Sequence, residues 1–310
     1  HNRLVNIQLL SDLHLEVQPD LTFQPAPGAD LLVLAGDIGA YQYGSRLAGP
    51  DFGRDRFSPL RGWPVPVLYV PGNHEYGALD LEPTRERLRS TCERLGITWL
   101  DEQVIVRDGV RFIGSTLWSD FDALALDAPA SKQLKIRDKC MRAANFYLRK
   151  TGSTWRDAPF LADSVRECAL ASQAWLRQAL AVPHAGPTVV VTHFAPSLGS
   201  MDPRYGRVPG TAGFCNALDD LLPLATVWMH GHLHCPSRYQ VGGCRVVANP
   251  LGYAGKGEQD FSATTTHLTG EDGHVRTLHA ARAEDAPPFG PVEGSGFEIK
   301  ADLILLAMGF

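Results

Sequence analysis

The residues of this sequence best suited to chemistry are aspartate, histidine and asparagine side chains that follow short apolar runs. They are Asp12, His14, Asp37, Asn73, His74, His193, His232 and His234. Imidazole nitrogen binds Mn, Fe and Zn, and carboxylate or amide oxygen favours the harder of these metals, so the mixed set predicts a metal site. A carboxylate has two oxygens and can hold two cations at the roughly 3.5–4 Å separation of two-metal sites.

Five apolar runs must position these side chains. They are rich in Val and Leu and bounded by turn residues, which predicts buried strands over residues 7–10, 31–35, 65–70, 189–191 and 226–229. Each run is followed by one of the polar elements. Because ligands bind at the carboxyl ends of the strands in an open α/β sheet, the polar set should meet at one edge. An extended backbone would point both side chains of Asp12/His14, and both of His232/His234, the same way.

Helical patterns lie between and after these strands. They cover residues 83–95, 132–148 and 164–180, and Ser164 is placed to cap the last of them. Further strands are predicted over residues 114–118, 245–248 and 264–268. Strands alternating with helices predict a layered α/β fold whose sheets are covered by helices.

The ordered motifs resemble those of a known family. D-x-H at Asp12, G-D at Asp37, G-N-H-E at Asn73, a single His193 and G-H-x-H at His232 are similar to the pattern of the calcineurin-like metallophosphoesterases, over roughly residues 4–285. The resemblance implies a four-layer αββα sandwich, with the active site at the carboxyl ends of the strands. It also implies a centre of two divalent metal ions, which the donor types suggest are Mn, Fe or Zn.

The resemblance assigns the roles residue by residue. Asp12, His14, Asp37 and His234 would bind the first metal, and Asp37, Asn73, His193 and His232 the second. Asp37 would bridge the two ions and is the catalytic carboxylate, while His74 would lie beside the substrate phosphate without binding metal. Glu75 is expected to orient a ligand from outside the metal shell.

These residues predict metal-dependent hydrolysis of a phosphate ester. Two metals lower the pKa of a bound water and neutralise phosphoryl oxygens, so a metal-bound hydroxide would attack while His74 assists the leaving group. The substrate is expected to be a small phosphodiester or phosphomonoester, because the segment after Asp37 lacks the second Asp and the Arg of the protein-phosphatase signature G-D-x-x-D-R-G. The alternatives are a hydrolase of pyrophosphate linkages and a non-catalytic, protein-binding scaffold of the same fold.

Several side chains near the motifs are candidates for substrate contacts. They are Tyr76, Phe194, Arg204 and Arg207. The two arginines lie in a Gly/Pro-rich loop after His193 and could clamp a phosphate. The segment 249–253 follows a predicted strand and is expected to shape the rim of the site.

Composition and charge limit the classes of partner that the chain is expected to bind. Hydrophobic residues make up 44% and charged residues 20%, and the formal net charge of −5 disfavours nucleic acid as a stable partner. No apolar run is long enough to span a bilayer, so no membrane partner is expected. The six cysteines show no C-x-x-C spacing and favour a reducing compartment, predicted to be the cytoplasm. The sequence does not decide whether the chain forms a homo-oligomer.

The last part of the chain differs from the rest. Residues 1–285 are predicted to form the metallophosphoesterase domain, and residues 286–310 a Pro/Gly-rich linker with an apolar tail. Residues 294–310 resemble a short piece of the small subunit of glutamate synthase, without a nucleotide-binding glycine motif. A fusion or read-through would explain the tail, and an ordinary C-terminal strand is the alternative.

Overall fold

The computed structural model of the chain describes residues 4–253, 261–269, 277–280 and 297–300. Within them lie three α-helices, α1 (Leu81–Leu95), α2 (Ala130–Thr151) and α3 (Ala162–Ala181). The strands in chain order are β1 (Asn6–Leu10), β2 (Leu31–Ala35), β3 (Val67–Val70), β4 (Thr98–Trp99), β5 (Gln103–Arg107), β6 (Val110–Ser115), β7 (Thr154–Trp155), β8 (Ala158–Pro159), β9 (Thr188–Thr192), β10 (Val227–His230), β11 (Ser237–Val241), β12 (Cys244–Ala248), β13 (Thr266–Leu268), β14 (Thr277–Ala280) and β15 (Phe297–Lys300).

Most of these strands belong to two sheets. The first has the order β13-β1-β2-β3-β4 and the second the order β11-β12-β10-β9-β6-β5. Strands β1 to β4 run parallel, with β13 antiparallel at the edge. Strands β12, β10, β9 and β6 also run parallel, between the antiparallel edge strands β11 and β5. Parallel strands are covered on both faces, which explains their continuous apolar runs.

The side chains of β2 illustrate how the layers stack. Leu31 and Val33 point into the core between the two sheets, while Leu32 and Leu34 pack in a second core with Cys92 of α1. On the far side of the second sheet, strand residues pack in a third core with residues of α2 and α3. Helix, sheet, sheet and helix thus form the four-layer αββα sandwich that the sequence predicted, and this prediction is confirmed.

The start of α3 differs from the sequence prediction. The helix begins at Ala162, after Leu161, and no side chain caps it. Ser164 is the third residue of the helix, so the predicted cap is wrong. The strand predicted over residues 114–118 ends at Ser115, because the following backbone turns: Leu117 and Trp118 have φ angles of 71° and 55°.

All six cysteines are free thiols. This agrees with the sequence expectation of unpaired cysteines, and the predicted cytoplasmic location stays a prediction. Among the described residues, none of the helices has the length and apolar character needed to cross a membrane.

By internal contacts the chain divides into two units, His1–Thr269 and Gly270–Phe310. The first contains the sandwich. In the second, β14 and β15 pair antiparallel, with Ala280 opposite Phe297. The predicted boundary between residues 285 and 286 falls between these two strands and stays a prediction. The apolar residues 303–308 of the tail lie outside the described residues.

Candidate metal centre

The chemically capable residues follow five parallel strands at their carboxyl ends. Asp12 and His14 come after β1, Asp37 after β2, Asn73 and His74 after β3, His193 after β9, and His232 and His234 after β10. Because the strands are parallel within each sheet, these ends lie at one edge. The structure brings the side chains into three groups whose nitrogen and oxygen atoms lie within 4.8 Å of one another: Asp12/His14/His234, His14/Asp37/His74 and Asp37/His193/His232.

The sequence suggested an extended backbone at Asp12/His14 and at His232/His234. In the structure the backbone at this edge is not extended. Its φ angles are positive at Asp12 (53°), His14 (44°), Asp37 (53°), His232 (75°) and His234 (48°). Each such non-glycine residue costs on the order of 1–3 kcal/mol, and conformations of this kind cluster at functional sites. The side chains therefore converge through left-handed turns and not through extended pairs.

The first group joins β1 to β10. Nε2 of His14 lies 2.9 Å from Nε2 of His234, and Nε2 of His234 lies 3.5 Å from Oδ1 of Asp12. Nδ1 of His14 donates a hydrogen bond to Oε1 of Glu16 at 3.0 Å. That bond leaves the lone pair of Nε2 directed at the neighbouring imidazole, as in histidines that bind metal through Nε2.

A further set of contacts, made by His193 with Asp37 and Asn73, joins β2, β3 and β9. Nδ1 of His193 donates to the carbonyl oxygen of Ala35 at 2.9 Å. Its Nε2 lies 3.3 Å from Oδ2 of Asp37 and 3.1 Å from Oδ1 of Asn73. Without a proton, Nε2 would face two oxygens with its lone pair, so a cation or a proton must lie between them. This donor set fits a divalent metal ion.

The charges of the carboxylates suit a metal site. Burial would raise the pKa of Asp12, but the hydrogen bond and charge of His234 outweigh it and lower the pKa to about 2. Burial likewise opposes ionisation of Asp37, whose pKa nevertheless falls well below its usual value because His193 and His74 are close. Both carboxylates are therefore anionic near neutral pH, the form that binds cations.

The pKa values of His193 and His232, the two histidines grouped with Asp37, are shifted in opposite directions. Burial would lower the pKa of His193, but the Asp37 carboxylate raises it to about 9. Burial, followed by the neighbouring His193, lowers the pKa of His232 to about 3. His232 is thus already neutral and can bind a metal ion directly. His193 must first release the proton that a metal ion would replace.

Glycine lets the backbone approach these carboxylates. A Cβ at Gly72 would overlap the carboxylate of Asp37, and a Cβ at Gly231 would lie 2.5 Å from Oδ2 of Asp12. The backbone nitrogen of His232 also donates to both carboxylate oxygens of Asp12, at 3.0 and 3.1 Å. The cluster is therefore built around close backbone contacts that a side chain at either glycine would disrupt.

His74 lies beside the cluster and is held from outside it. Its Nδ1 lies 3.0 Å from Oε1 of Gln42, and its Nε2 lies 3.9 Å from Oδ2 of Asp37. The amide nitrogen of Gln42 in turn donates to Glu16 at 3.3 Å. Burial lowers the pKa of His74, despite the opposing charge of Asp37. Gln42 and Glu16 were not among the predicted site residues, because nothing in their sequence spacing indicates that they meet His74.

Glu75 supports the loops that carry the candidate ligands through hydrogen bonds to their backbone. Its carboxylate accepts hydrogen bonds from the backbone nitrogens of Asp37 (3.1 Å), Ile38 (2.9 Å) and Gly72 (2.9 Å). It also pairs with Arg54 at 2.8 Å, and both side chains are fully buried. Arg54 was not foreseen, since it lies far from the motifs in sequence.

Aromatic rings cover both sides of the cluster. Phe194 lies over His232, with ring centroids 4.0 Å apart, and Phe214 stacks on the same ring at 4.8 Å. On the other side, Tyr253 stacks on His14 at 4.4 Å. Phe194 and Tyr253 thus pack on candidate ligands, while the contact of Phe194 with substrate and the role of residues 249–253 at the rim stay predictions.

The other predicted substrate contacts have partners within the described part of the chain. Tyr76 is only 2% exposed and packs against Trp118, with ring centroids 5.8 Å apart. Arg204 binds the Asp202 carboxylate at 2.7 Å, and Arg207 binds Asp127 at 3.0 Å. In this arrangement both arginines are committed to carboxylates of the same chain, and their role in binding substrate stays a prediction.

Comparison with known proteins agrees with this geometry. A family model described as calcineurin-like phosphoesterase matches residues 6–236. An uncharacterized protein of Acanthamoeba polyphaga mimivirus is 25% identical over 202 residues, which cover 61% of this chain and 68% of that protein. The crystal structure of a phosphopantetheinyl hydrolase from Mycobacterium tuberculosis aligns with a TM-score of 0.61 over 86% of this chain and 96% of that chain. Its 20% identity shows a common fold.

A short match concerns a different protein. A stretch of 55 residues is 49% identical to the glutamate synthase small chain of Mycobacterium tuberculosis, which is the protein that residues 294–310 resemble. The stretch covers 17% of this chain and 11% of that protein. A match this short transfers no activity.

Proposed function

We propose that this chain, which belongs to the calcineurin-like phosphoesterase family and is a phosphoesterase, hydrolyses a small phosphodiester or phosphomonoester with two divalent metal ions. The observation that carries the proposal is the position of Asp37, whose carboxylate belongs to two of the three groups of candidate ligands. A carboxylate shared between two sets of imidazole nitrogens is the arrangement that a two-metal site needs.

The residues fall into two ligand sets. One ion would be held by Asp12, His14, Asp37 and His234, and the other by Asp37, Asn73, His193 and His232. Carboxylate, amide and imidazole donors together suit Mn, Fe or Zn. When bound, the two ions supply an activated water and neutralise charge on the phosphoryl oxygens.

His74 would serve the leaving group. Gln42 occupies its Nδ1, so Nε2 is the nitrogen left to meet a substrate, and the side chain is 27% exposed. In the neutral ring Nε2 carries no proton. Only the doubly protonated ring can therefore donate from Nε2 to the leaving oxygen, while Nδ1 keeps its bond to Gln42.

We infer a preference for small esters over phosphoproteins because no free arginine side chain is found for a phosphoprotein's phosphate among the candidate residues. The segment after Asp37 contains no arginine until Arg46, whose side chain donates to the carbonyl oxygen of Val17. Arg204 and Arg207, the other candidates, are paired with carboxylates. Phosphate recognition would then depend on the metals and His74, which suffices for a small substrate. A pyrophosphate linkage is the second candidate, because water would attack one phosphorus and the other phosphate would leave as a stable anion.

A substrate panel tests the proposal. The chain is loaded with Mn²⁺, and its metal content is measured alongside turnover of p-nitrophenyl phosphate, bis-p-nitrophenyl phosphate, a dinucleoside pyrophosphate, a phosphopeptide and a phosphopantetheinylated carrier protein. We expect turnover of the small esters with two metals per chain. Turnover of the phosphopeptide alone would contradict the substrate class. A metal-loaded chain inactive on every substrate would contradict the function.

A further inference from the structure

A polar cavity lies beside the candidate metal centre. It has a volume of ≈ 250 Å³ and opens between β11, β12 and the segment before β13. Its polar lining consists of Ser237, Arg238, Asn249, Ser262, Thr265 and His267. No carboxylate is among the described residues that line it.

Most of these groups have no hydrogen-bond partner in the described part of the chain. His267 is only 8% exposed, yet its ring nitrogens make no hydrogen bond there, and the same holds for the hydroxyls of Ser237, Ser262 and Thr265. Asn249 differs, because its side chain binds the backbone of Leu9 and Ser262. His267 is thus a buried side chain without a partner in the described part of the chain, and the three hydroxyls are partly exposed, so the cavity offers free polar groups to a ligand.

The charge around the cavity is positive. Arg238 lines it, and Arg238 and Arg245 both act electrostatically on His267. Burial, aided by the two arginines, lowers the pKa of His267 to about 4. The ring is therefore neutral near pH 7 and offers one N–H donor, while the arginine supplies the charge. Donors without carboxylates around a guanidinium favour an anionic oxygen group.

Both walls of the cavity continue into the metal centre. Pro236, at one wall, follows the candidate ligand His234 by two residues. At the other wall, Pro250 follows Asn249 and forms a bridge with Ser11, and the nitrogen of Gly252 donates to the carbonyl oxygen of Asp12 at 2.9 Å. A molecule whose phosphoester lies at the metals could therefore extend into this cavity.

We propose that the cavity binds a second anionic group of the substrate, a phosphate, phosphonate or carboxylate held by Arg238, His267 and the three hydroxyls. This assignment rests on the proposed function and narrows it, because it makes the preferred substrates phosphoesters that carry a further negative charge. Arg238 is the residue that selects them.

The test uses a series of p-nitrophenyl alkyl phosphodiesters of increasing chain length, ending either in a phosphonate or in a methyl group. The wild-type chain, Arg238→Gln and the control Arg177→Gln are compared, since Arg177 is a half-exposed arginine that pairs with Asp220 and does not line the cavity. Release of p-nitrophenolate gives kcat/KM. In parallel, methylphosphonate is added to the zinc-loaded chain and the ring resonances of His267 are followed by NMR.

At one chain length we expect kcat/KM for the phosphonate ester to exceed that of its methyl partner by about tenfold, the effect of a charge-assisted hydrogen bond. In Arg238→Gln the phosphonate and methyl esters should react with nearly equal kcat/KM, while Arg177→Gln keeps the preference. The His267 resonances should shift saturably in the wild type and not in Arg238→Gln. Ser262→Ala, a milder change, should reduce the preference in part.

Other results separate the possible failures. Equal turnover of both series at every length would overturn the subsite and leave the proposed function standing. If free methylphosphonate shifts His267 and changes turnover of the methyl esters without a preference for tethered anions, the cavity is an effector site and the substrate assignment is wrong. If the metal-loaded chain hydrolyses neither series, the proposed function fails, and an unchanged His267 resonance would then also rule out anion binding.

Discussion

The side-chain oxygen of Gln42 lies 3.0 Å from Nδ1 of His74, and its nitrogen lies 3.3 Å from Oε1 of Glu16. Oε1 of Glu16 accepts a hydrogen bond from the amide nitrogen of Gln42, so the amide oxygen of Gln42 faces His74. The same oxygen of Glu16 accepts a hydrogen bond from His14 at 3.0 Å. One buried carboxylate thus orients a candidate metal ligand directly and His74 through Gln42.

Replacing Gln42 tests this connection. Gln42→Leu keeps the size of the side chain and removes the acceptor for Nδ1, so His74 loses its orientation but no metal ligand is touched. We expect kcat to fall about tenfold, on the scale of other supporting contacts, with metal content unchanged. The loss should be larger for an alkyl ester than for a p-nitrophenyl ester, because a poor leaving group depends more on a proton donor.

The matched variant is Gln42→Asn, which keeps the amide group on a side chain one methylene shorter and places no second carboxylate beside Glu16. It should retain more activity on the alkyl ester than Gln42→Leu does. A uniform loss on both esters, or a loss of metal, would mean that Gln42 supports the fold of the site and not the orientation of His74.

His74 itself should act on the substrate and not on the metals. His74→Ala removes the imidazole near Asp37 but none of the assigned ligands. We expect kcat to fall about 10²–10⁴-fold, the range for a positioned acid, while elemental analysis finds the wild-type metal content. Joint loss of metal and activity would instead identify His74 as a ligand.

The buried pair of Arg54 and Glu75 should matter most for stability. Arg54→Met leaves the Glu75 carboxylate buried without its cation, which costs about 3–5 kcal/mol of the free energy of unfolding in comparable cases. Urea unfolding should show this loss. The double variant Arg54→Met/Glu75→Gln should recover part of it, because no charge is then stranded.

The control for Arg54 is Arg177→Met, which breaks the half-exposed pair with Asp220. Exposed pairs contribute at most about 1 kcal/mol, so its unfolding curve should lie close to that of the wild type. Equal effects of the two variants would show that the Arg54–Glu75 pair has no special role.

Gly72 allows the loop after β3 to approach the carboxylate of Asp37. Gly72→Ala would place a methyl group against that carboxylate, and overpacking of this kind costs about 1–3 kcal/mol. Because Asp37 must move, metal affinity should fall about tenfold or more. Gly210→Ala is the matched control, since nothing lies within 4 Å of its Cβ. Metal titration would contradict this account if both variants bound metal like the wild type.

Much of the fold follows from local sequence patterns. The apolar runs at β1, β2 and β9 are short, consist mainly of Ile, Leu or Val, and end in turn residues, so strand type and position could be predicted within a few residues. The candidate ligands could be located because each follows such a strand. The start of α3 was missed because a serine near a helix start suggests a cap, while packing of Ala162 and Val165 in the core determines where the helix begins.

The supporting contacts could not be predicted in the same way. Gln42 meets His74 across 32 residues of sequence, and Arg54 meets Glu75 across 21. Neither pair has a characteristic spacing, and both depend on how the loops after β2 and β3 fold over each other. The left-handed backbone at Asp12 and His14 also has no clear signal, since aspartate and histidine adopt it only when surrounding contacts demand it.

The central claim is that Asp37 is shared by two metal ions. Asp37→Asn tests it most directly, because asparagine has nearly the same shape and tolerates the left-handed backbone at this position, so the fold is kept while the bridging negative charge is removed. Metals per chain are counted by elemental analysis after gel filtration, with circular dichroism as the check on folding. A bridging role predicts two ions per chain in the wild type, substantially fewer than one per chain in Asp37→Asn, and loss of phosphoesterase activity. A folded Asp37→Asn chain that retains two ions and most of its turnover would contradict the shared-carboxylate account.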